Sequence, residues 1–97
     1  MIDNKQDNYL SNLIINDKIK DENKIKEIIQ ILIDNKDGWL FSLILSDKIK
    51  DENQLKQSIQ AVIDKKDDVY LYNLIGEDKI KDENKVKEII QGWIDNE

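Results

Sequence analysis

The heptapeptide Asp-Lys-Ile-Lys-Asp-Glu-Asn stands unchanged at Asp17–Asn23, Asp47–Asn53 and Asp78–Asn84. Whatever the first copy builds, the other two build as well, and the segments between them must fit around it. Extended outward, the match grows into a unit of 30 and then 31 residues: Asp7–Lys36, Asp37–Lys66 and, after one additional residue at Asp67, Asp68–Glu97. The opening Ile2-Asp3-Asn4-Lys5 repeats the unit end Ile33-Asp34-Asn35-Lys36, so residues 1–6 read as the remnant of a preceding unit. A period of this length marks a repeat architecture, in which each unit is one supersecondary element that buries its apolar side against its neighbours. We therefore expect residues 1–97 to form a single helical-repeat domain.

Each unit contains two helical patterns. The first places apolar residues at Tyr9, Leu10, Leu13 and Ile14, then Trp39, Leu40, Leu43 and Ile44, then Tyr70, Leu71, Leu74 and Ile75. The spacing i, i+1, i+4, i+5 makes one side of a short helix. The second carries the i, i+3, i+4, i+7, i+8 stripe Ile25, Ile28, Ile29, Leu32, Ile33, repeated as Val86, Ile89, Ile90, Trp93, Ile94. In the middle unit Leu55, Ile59, Val62 and Ile63 keep the stripe, with Ser58 in place of an isoleucine. No strand alternation occurs, and proline, which would break helices, is absent. The fold class expected is all-α: a short right-handed αα-solenoid of three helix–loop–helix units, six helices in all.

The conserved heptapeptide reads as the joint between the two helices of a unit. Asp21, Asp51 and Asp82 precede the second helix, where a carboxylate caps free amides for about 1 kcal/mol. Glu22, Glu52 and Glu83 fall in its first turn, where the helix dipole favours negative charge, four residues before Lys26, Lys56 and Lys87. Ile19, Ile49 and Ile80 read as plugs that fix the connection to the core. Asp17, Asp47 and Asp78 close the first helix or cap a turn. Calcium binding, the functional rival, fails on spacing. An EF-hand loop needs oxygen ligands at positions 1, 3, 5 and 12 and glycine at 6, whereas counting from Asp17 puts Ile19 at 3 and Glu22 at 6. Setting Gly38 at 6 puts Ile33 at 1 and Ile44 at 12.

Composition narrows the function. Cysteine and histidine are both absent, which removes disulfides, thiolate sites, the commonest metal ligand and the usual general base. There is no glycine-rich phosphate loop and no carboxylate pair marked for an apolar cleft. We expect no catalytic residues, no cofactor, no metal and no enzyme activity. All 15 basic residues are lysine, interleaved with 21 acids to a net charge of −6. The lack of arginine argues against direct nucleic-acid binding. No run approaches the roughly 20 apolar residues of a membrane span, and no signal-peptide pattern opens the chain, so a soluble cytoplasmic protein is expected.

The repeated Tyr/Trp-Leu-x-x-Leu-Ile, the linking heptapeptide and the isoleucine-rich second helix resemble the HEAT-like and related αα-repeat families over nearly the whole chain. The units are shorter than usual HEAT repeats and lack their typical proline. The resemblance implies a solenoid architecture and a role as a binding scaffold, without naming a target.

Differences between units point to a binding face. Three positions vary: Ser11, Phe41, Tyr72; Ile15, Leu45, Gly76; and Ile31, Ala61, Gly92. The leading expectation is a non-enzymatic protein-interaction module with Trp39, Phe41, Tyr70 and Tyr72 as contact residues. Trp93, beside Gly92, either folds back on the first helix of its own unit or joins a partner or self-association contact at a poorly capped array end. The alternative is a small acidic inhibitor from a phage or mobile element, of anti-CRISPR or other anti-defence type. There Asp17, Asp21, Glu22, Asp47, Asp51, Glu52, Asp78, Asp82 and Glu83 would mimic phosphate charge, diluted by the neighbouring lysines.

Overall fold

The computed structural model describes residues 4–96, all of the folded part being helix and turn. Six α-helices follow in order: α1 (Asn4–Ile15), α2 (Glu22–Asp34), α3 (Trp39–Leu45), α4 (Glu52–Lys65), α5 (Asp68–Gly76) and α6 (Glu83–Asp95). No strand occurs among the described residues, and the all-α expectation with six helices holds. Part of the expected remnant at residues 1–6 lies outside the described residues. The molecule measures 43 × 25 × 19 Å. No described helix is long and apolar enough to cross a membrane.

Both helical patterns form where the sequence places them, because each start and stop has its own chemistry. Asp21 Oδ1 accepts from the N–H of Asn23 at 2.9 Å and of Lys24 at 3.3 Å. Asp82 does the same for Asn84 and Lys85, and Asp51 for Gln54 at 3.1 Å. These bonds satisfy amides that have no partner within the helix. The additional residue of the third unit is a cap too: Asp67 Oδ1 accepts from Val69 and Tyr70, opening α5.

The first helix of every unit ends at the first letter of the heptapeptide. Asp17, Asp47 and Asp78 adopt left-handed backbone, with φ of 59°, 57° and 58°. The N–H of Asp17 donates to Ile14 C=O at 3.1 Å and that of Lys18 to Leu13 C=O at 2.8 Å. The same pair of bonds recurs from Asp47 and Lys48, and from Asp78 and Lys79. This is the Schellman closure. Aspartate is one of the few residues other than glycine that visits this conformation routinely, which is why the joint can keep a charged residue there.

The core gathers from all three units. Ile14, Ile28, Ile29 and Leu32 come from the first, Leu40, Leu43, Ile44, Ala61 and Val62 from the second, Leu71 and Leu74 from the third. Full burial of one such side chain contributes about 1.5–3 kcal/mol. Ile49 and Ile80 are buried and Ile19 is half-buried, so the plugs of the joints do enter the core. Two features depart from the sequence pattern. In α1, Leu13 is exposed although its counterparts Leu43 and Leu74 are fully buried, and Tyr9 is exposed although its counterparts Trp39 and Tyr70 are half-buried. In α4, Ser58 is fully buried and its hydroxyl has no partner among the described residues.

Candidate functional site

Charges at the joints bind one unit to the next rather than one helix turn to the next. The pairs expected within the second helices, from Glu22 to Lys26 and its repeats, do not form. Lys26 Nζ instead lies 3.4 Å from Asp51 Oδ2 of the following unit. Lys48 Nζ donates to Asp17 Oδ1 at 2.8 Å, and Lys79 Nζ to Asp47 Oδ1 at 2.6 Å. The first lysine of the second and third heptapeptides thus clasps the aspartate that closes the first helix of the preceding unit. The side-chain hydrogen bond from Lys48, then its charge, holds the Asp17 carboxyl below its ordinary range, and Lys79 does the same for Asp47. Asp51 is lowered first by the Gln54 N–H it caps, and further by Lys26. The clasp is readable in principle, since Lys48 stands 31 residues after Asp17, but helical spacing alone pairs charges only along one helix.

A second set of contacts follows the same register. Gln54 Nε2 lies 3.4 Å from Gln30 Oε1 and donates to Lys26 C=O at 2.8 Å. In the next step Lys85, which holds the place of Gln54, donates to Gln60, which holds the place of Gln30. Here the two steps diverge. Lys36 and Asp64 pair at 3.5 Å between the first two units, as do Lys26 and Asp51. Their counterparts between the second and third units, Lys56 with Asp82 and Lys66 with Asp95, form no ion pair.

Where those pairs are missing, a groove of about 740 Å³ opens. Its floor is Ile44, Ile49, Leu55, Ile59 and Ile80, and its rim carries Glu52, Lys56, Glu77, Asp82 and Lys85. The joint of the third unit forms one wall and α4 the other. Ile49 and Ile80, expected as plugs of the joints, also face this opening. A periodic pattern marks which residues are apolar, but not where two successive units part.

The aromatic residues singled out from sequence separate into four situations. Phe41 and Tyr70 stack on each other across the second and third units, ring centroids 4.3 Å apart and planes 13° from parallel. Trp39 and Tyr70 line a shallow hollow with Asp37, Gly38 and Ser42. Tyr72 stands exposed, while Ser11, in the same repeat position, is fully buried. Trp93 folds back on its own unit: half-buried, it donates its indole N–H to Asp68 Oδ1 in α5 at 2.9 Å. Of the acidic rows, Asp17, Asp47 and Asp51 are engaged by lysines, while Asp21, Glu22, Glu52, Asp78, Asp82 and Glu83 are not ion-paired among the described residues. No group of three or more acidic residues able to hold a metal ion occurs among the described residues. The chain matches no protein-family model, and no curated protein or solved structure is similar enough to it to be compared.

Proposed function

We propose that the chain is a non-enzymatic protein-binding module whose helix pairs stack as a short right-handed αα-solenoid of HEAT-like kind. The recurrence of one set of contacts from unit to unit supports the stacking: Asp17–Lys48 then Asp47–Lys79, Gln30–Gln54 then Gln60–Lys85. The observation that carries the function is the groove beside the third joint. An apolar floor whose rim includes Lys56 and Asp82, the two charges that stay unpaired where Lys26 and Asp51 meet one step earlier, suits an amphipathic helix of another protein. Its apolar ridge would cover Ile49, Leu55, Ile59 and Ile80. Its flanking acid and lysine would meet Lys56 and Asp82, as Asp51 and Lys26 meet each other one step earlier. Tyr72, exposed on the neighbouring helix, extends the contact as an aromatic anchor. Because the groove walls are already ordered, association loses less conformational entropy than a flexible loop would. The acidic-mimic reading has less behind it, since three of its nine carboxylates already hold lysines of this chain.

The test is affinity capture with the whole chain, run beside the variants Leu55→Ala/Lys56→Glu and Tyr72→Ala. A partner seated in the groove is recovered by the wild type and reduced at least about tenfold by the first variant, the loss of roughly 1.4 kcal/mol or more. Recovery should depend only modestly on salt, because most of the contact is apolar. Equal recovery of every captured protein by wild type and by both variants removes the reading.

A further inference from the structure

The contacts that join successive units are directional. One side of a unit offers an aromatic or small residue, an aspartate and a glutamine; the next unit answers with an aromatic, a lysine and a lysine or glutamine. At the step from the second unit to the third these are Phe41 on Tyr70, Asp47 to Lys79 and Gln60 to Lys85. Moving one step further along the array, the third unit offers Tyr72, Asp78 and Gln91, all exposed; no described residue of another unit answers them, Gln91 donating only to Asp95 of its own helix at 2.8 Å. Moving one step back, the first unit presents Tyr9, Lys18 and Lys24, also exposed, on the answering side. Lys24 is drawn only to Glu27 of its own helix, at 3.6 Å.

The two open sides match each other in more than these polar groups. Tyr72 is 67% and Tyr9 65% exposed, and they hold the places of the stacked Phe41 and Tyr70. Each side also leaves uncovered an apolar residue that the interior steps bury. On one it is Leu13, whose counterparts Leu43 and Leu74 are fully buried; on the other it is Ile90, whose counterpart Ile29 is buried. Charge is distributed in the same sense. The stretch from Asp67 to Glu97 holds nine acidic and four basic residues, that from Met1 to Lys36 seven and six. Two acidic ends repel each other, so like-to-like pairing of the third units is disfavoured and pairing of unlike ends is favoured.

We infer that the open side of the third unit binds the open side of the first unit of a second copy, continuing the internal stacking from one molecule into the next. Tyr72 stacks on Tyr9 of the second copy, Asp78 accepts from its Lys18, and Gln91 meets its Lys24. The contact joins two different surfaces, so it leaves each added copy with a fresh open end and grows into rods or rings rather than stopping at a symmetric dimer. The contact shares Tyr72 and Asp78 with the surroundings of the groove but not Leu55, Lys56 or Ile59, so Leu55→Ala/Lys56→Glu should leave it intact.

Sedimentation of the purified whole chain over a range of concentrations tests it, with two double variants at exposed positions. One, Tyr9→Ala/Lys18→Ala, removes the answering side; the other, Tyr72→Ala/Asp78→Ala, removes the offering side. Helical circular dichroism establishes that both remain folded. The expected result is threefold. The average mass of the wild type rises at least about twofold between low and high micromolar concentration. Each variant alone stays at the monomer mass. An equimolar mixture of the two forms a species that stops at twice the monomer mass, because one intact side of each remains. A wild type that stays monomeric throughout overturns the inference. So does continued growth of either variant alone, which would place the contact on another surface.

Discussion

Helices α2 and α6 are nearly the same peptide in different surroundings. Each has 13 residues, each begins Glu-Asn-Lys behind a capping aspartate, and they differ only at Ile25/Val86, Ile31/Gly92 and Leu32/Trp93. Yet α2 buries Ile28, Ile29 and Leu32, while α6 buries nothing and rests on the half-buried Val86, Ile89 and Trp93. Local sequence makes both helices and gives both the same apolar stripe. Whether the stripe is covered depends on what lies on its two flanks. Helix α2 has α4 on its far side, tied by Lys26–Asp51, Gln54–Gln30 and Lys36–Asp64. Helix α6 is tied more sparsely, by Lys85 to Gln60 of α4 and by Trp93 to Asp68 of α5. An apolar pattern in a repeat protein is thus a capacity for burial, and position in the array decides how much of it is used.

The widest separation between the two helices should come from one substitution made twice. Ile29 and Ile90 occupy the same repeat position, 1% and 40% exposed. Ile29→Ala leaves a cavity in a closed core and should cost about 2–5 kcal/mol. Ile90→Ala removes a side chain already partly in water and should cost less than about 1 kcal/mol. Urea unfolding followed by helical circular dichroism measures both. Equal costs would mean that α6 is as enclosed as α2, and the comparison would fail at its root.

A smaller effect, of opposite sign, belongs to α4. Ser58 takes the place of Ile28 and Ile89 and lies fully buried with an unpartnered hydroxyl. An unsatisfied buried hydroxyl costs about 1–3 kcal/mol. Ser58→Ala removes it with little change of volume and should raise stability by about 1 kcal/mol, seen as a melting temperature about 4–8 °C higher for a domain of this size. The isoleucine that the repeat pattern calls for is a different experiment, because it adds volume to a site packed around serine. A fall in stability for Ser58→Ala would show that the hydroxyl is bonded after all.

These contrasts also mark what the sequence could and could not tell. The period, the six helices, the caps at Asp21, Asp51 and Asp82 and the apolar plugs at Ile49 and Ile80 were all legible, because each rests on local chemistry repeated three times. The return of Trp93 to its own unit was weighed from sequence, and the Asp68 acceptor explains it. What stayed hidden was relational. Lysines were paired along a helix, from Lys26 to Glu22, because that spacing is visible in one dimension; in three dimensions Asp51 of the next unit lies closer to hand. The groove escaped notice for the same reason. Its floor is made of residues such as Ile49 and Leu55 that any unit would need, and it exists only because Lys56 and Asp82 do not close as Lys26 and Asp51 do. The aromatic residues chosen by their variation prove unlike one another: Phe41 and Tyr70 cover each other, and Tyr72 is left to solvent.

Acid should erode the clasps between units, with the smallest effect of the three. Asp17, Asp47 and Asp51 are held below the ordinary carboxylate value of about 3.9, by Lys48, Lys79 and the Gln54 N–H respectively. Asp64 is lowered as well, chiefly by the Gln60 side chain. A carboxyl that protonates less readily when folded makes the folded state bind fewer protons than the unfolded chain, so stability falls as pH falls. Their contribution is whole above about pH 5, begins to drop near pH 4 and is lost as the pH passes below the folded-state values. Because the pairs are exposed, salt should flatten the same slope. Urea midpoints between pH 6 and pH 3 would show it, and Asp17→Asn/Asp47→Asn should reduce the slope without removing it, leaving the share of Asp51 and Asp64. Since these aspartates secure the steps around α2 and α4 rather than the open flank of α6, acid should also narrow the gap between Ile29→Ala and Ile90→Ala. A gap unchanged at low pH would mean that apolar contact alone encloses α2, and that the lysine clasps align the units without holding them.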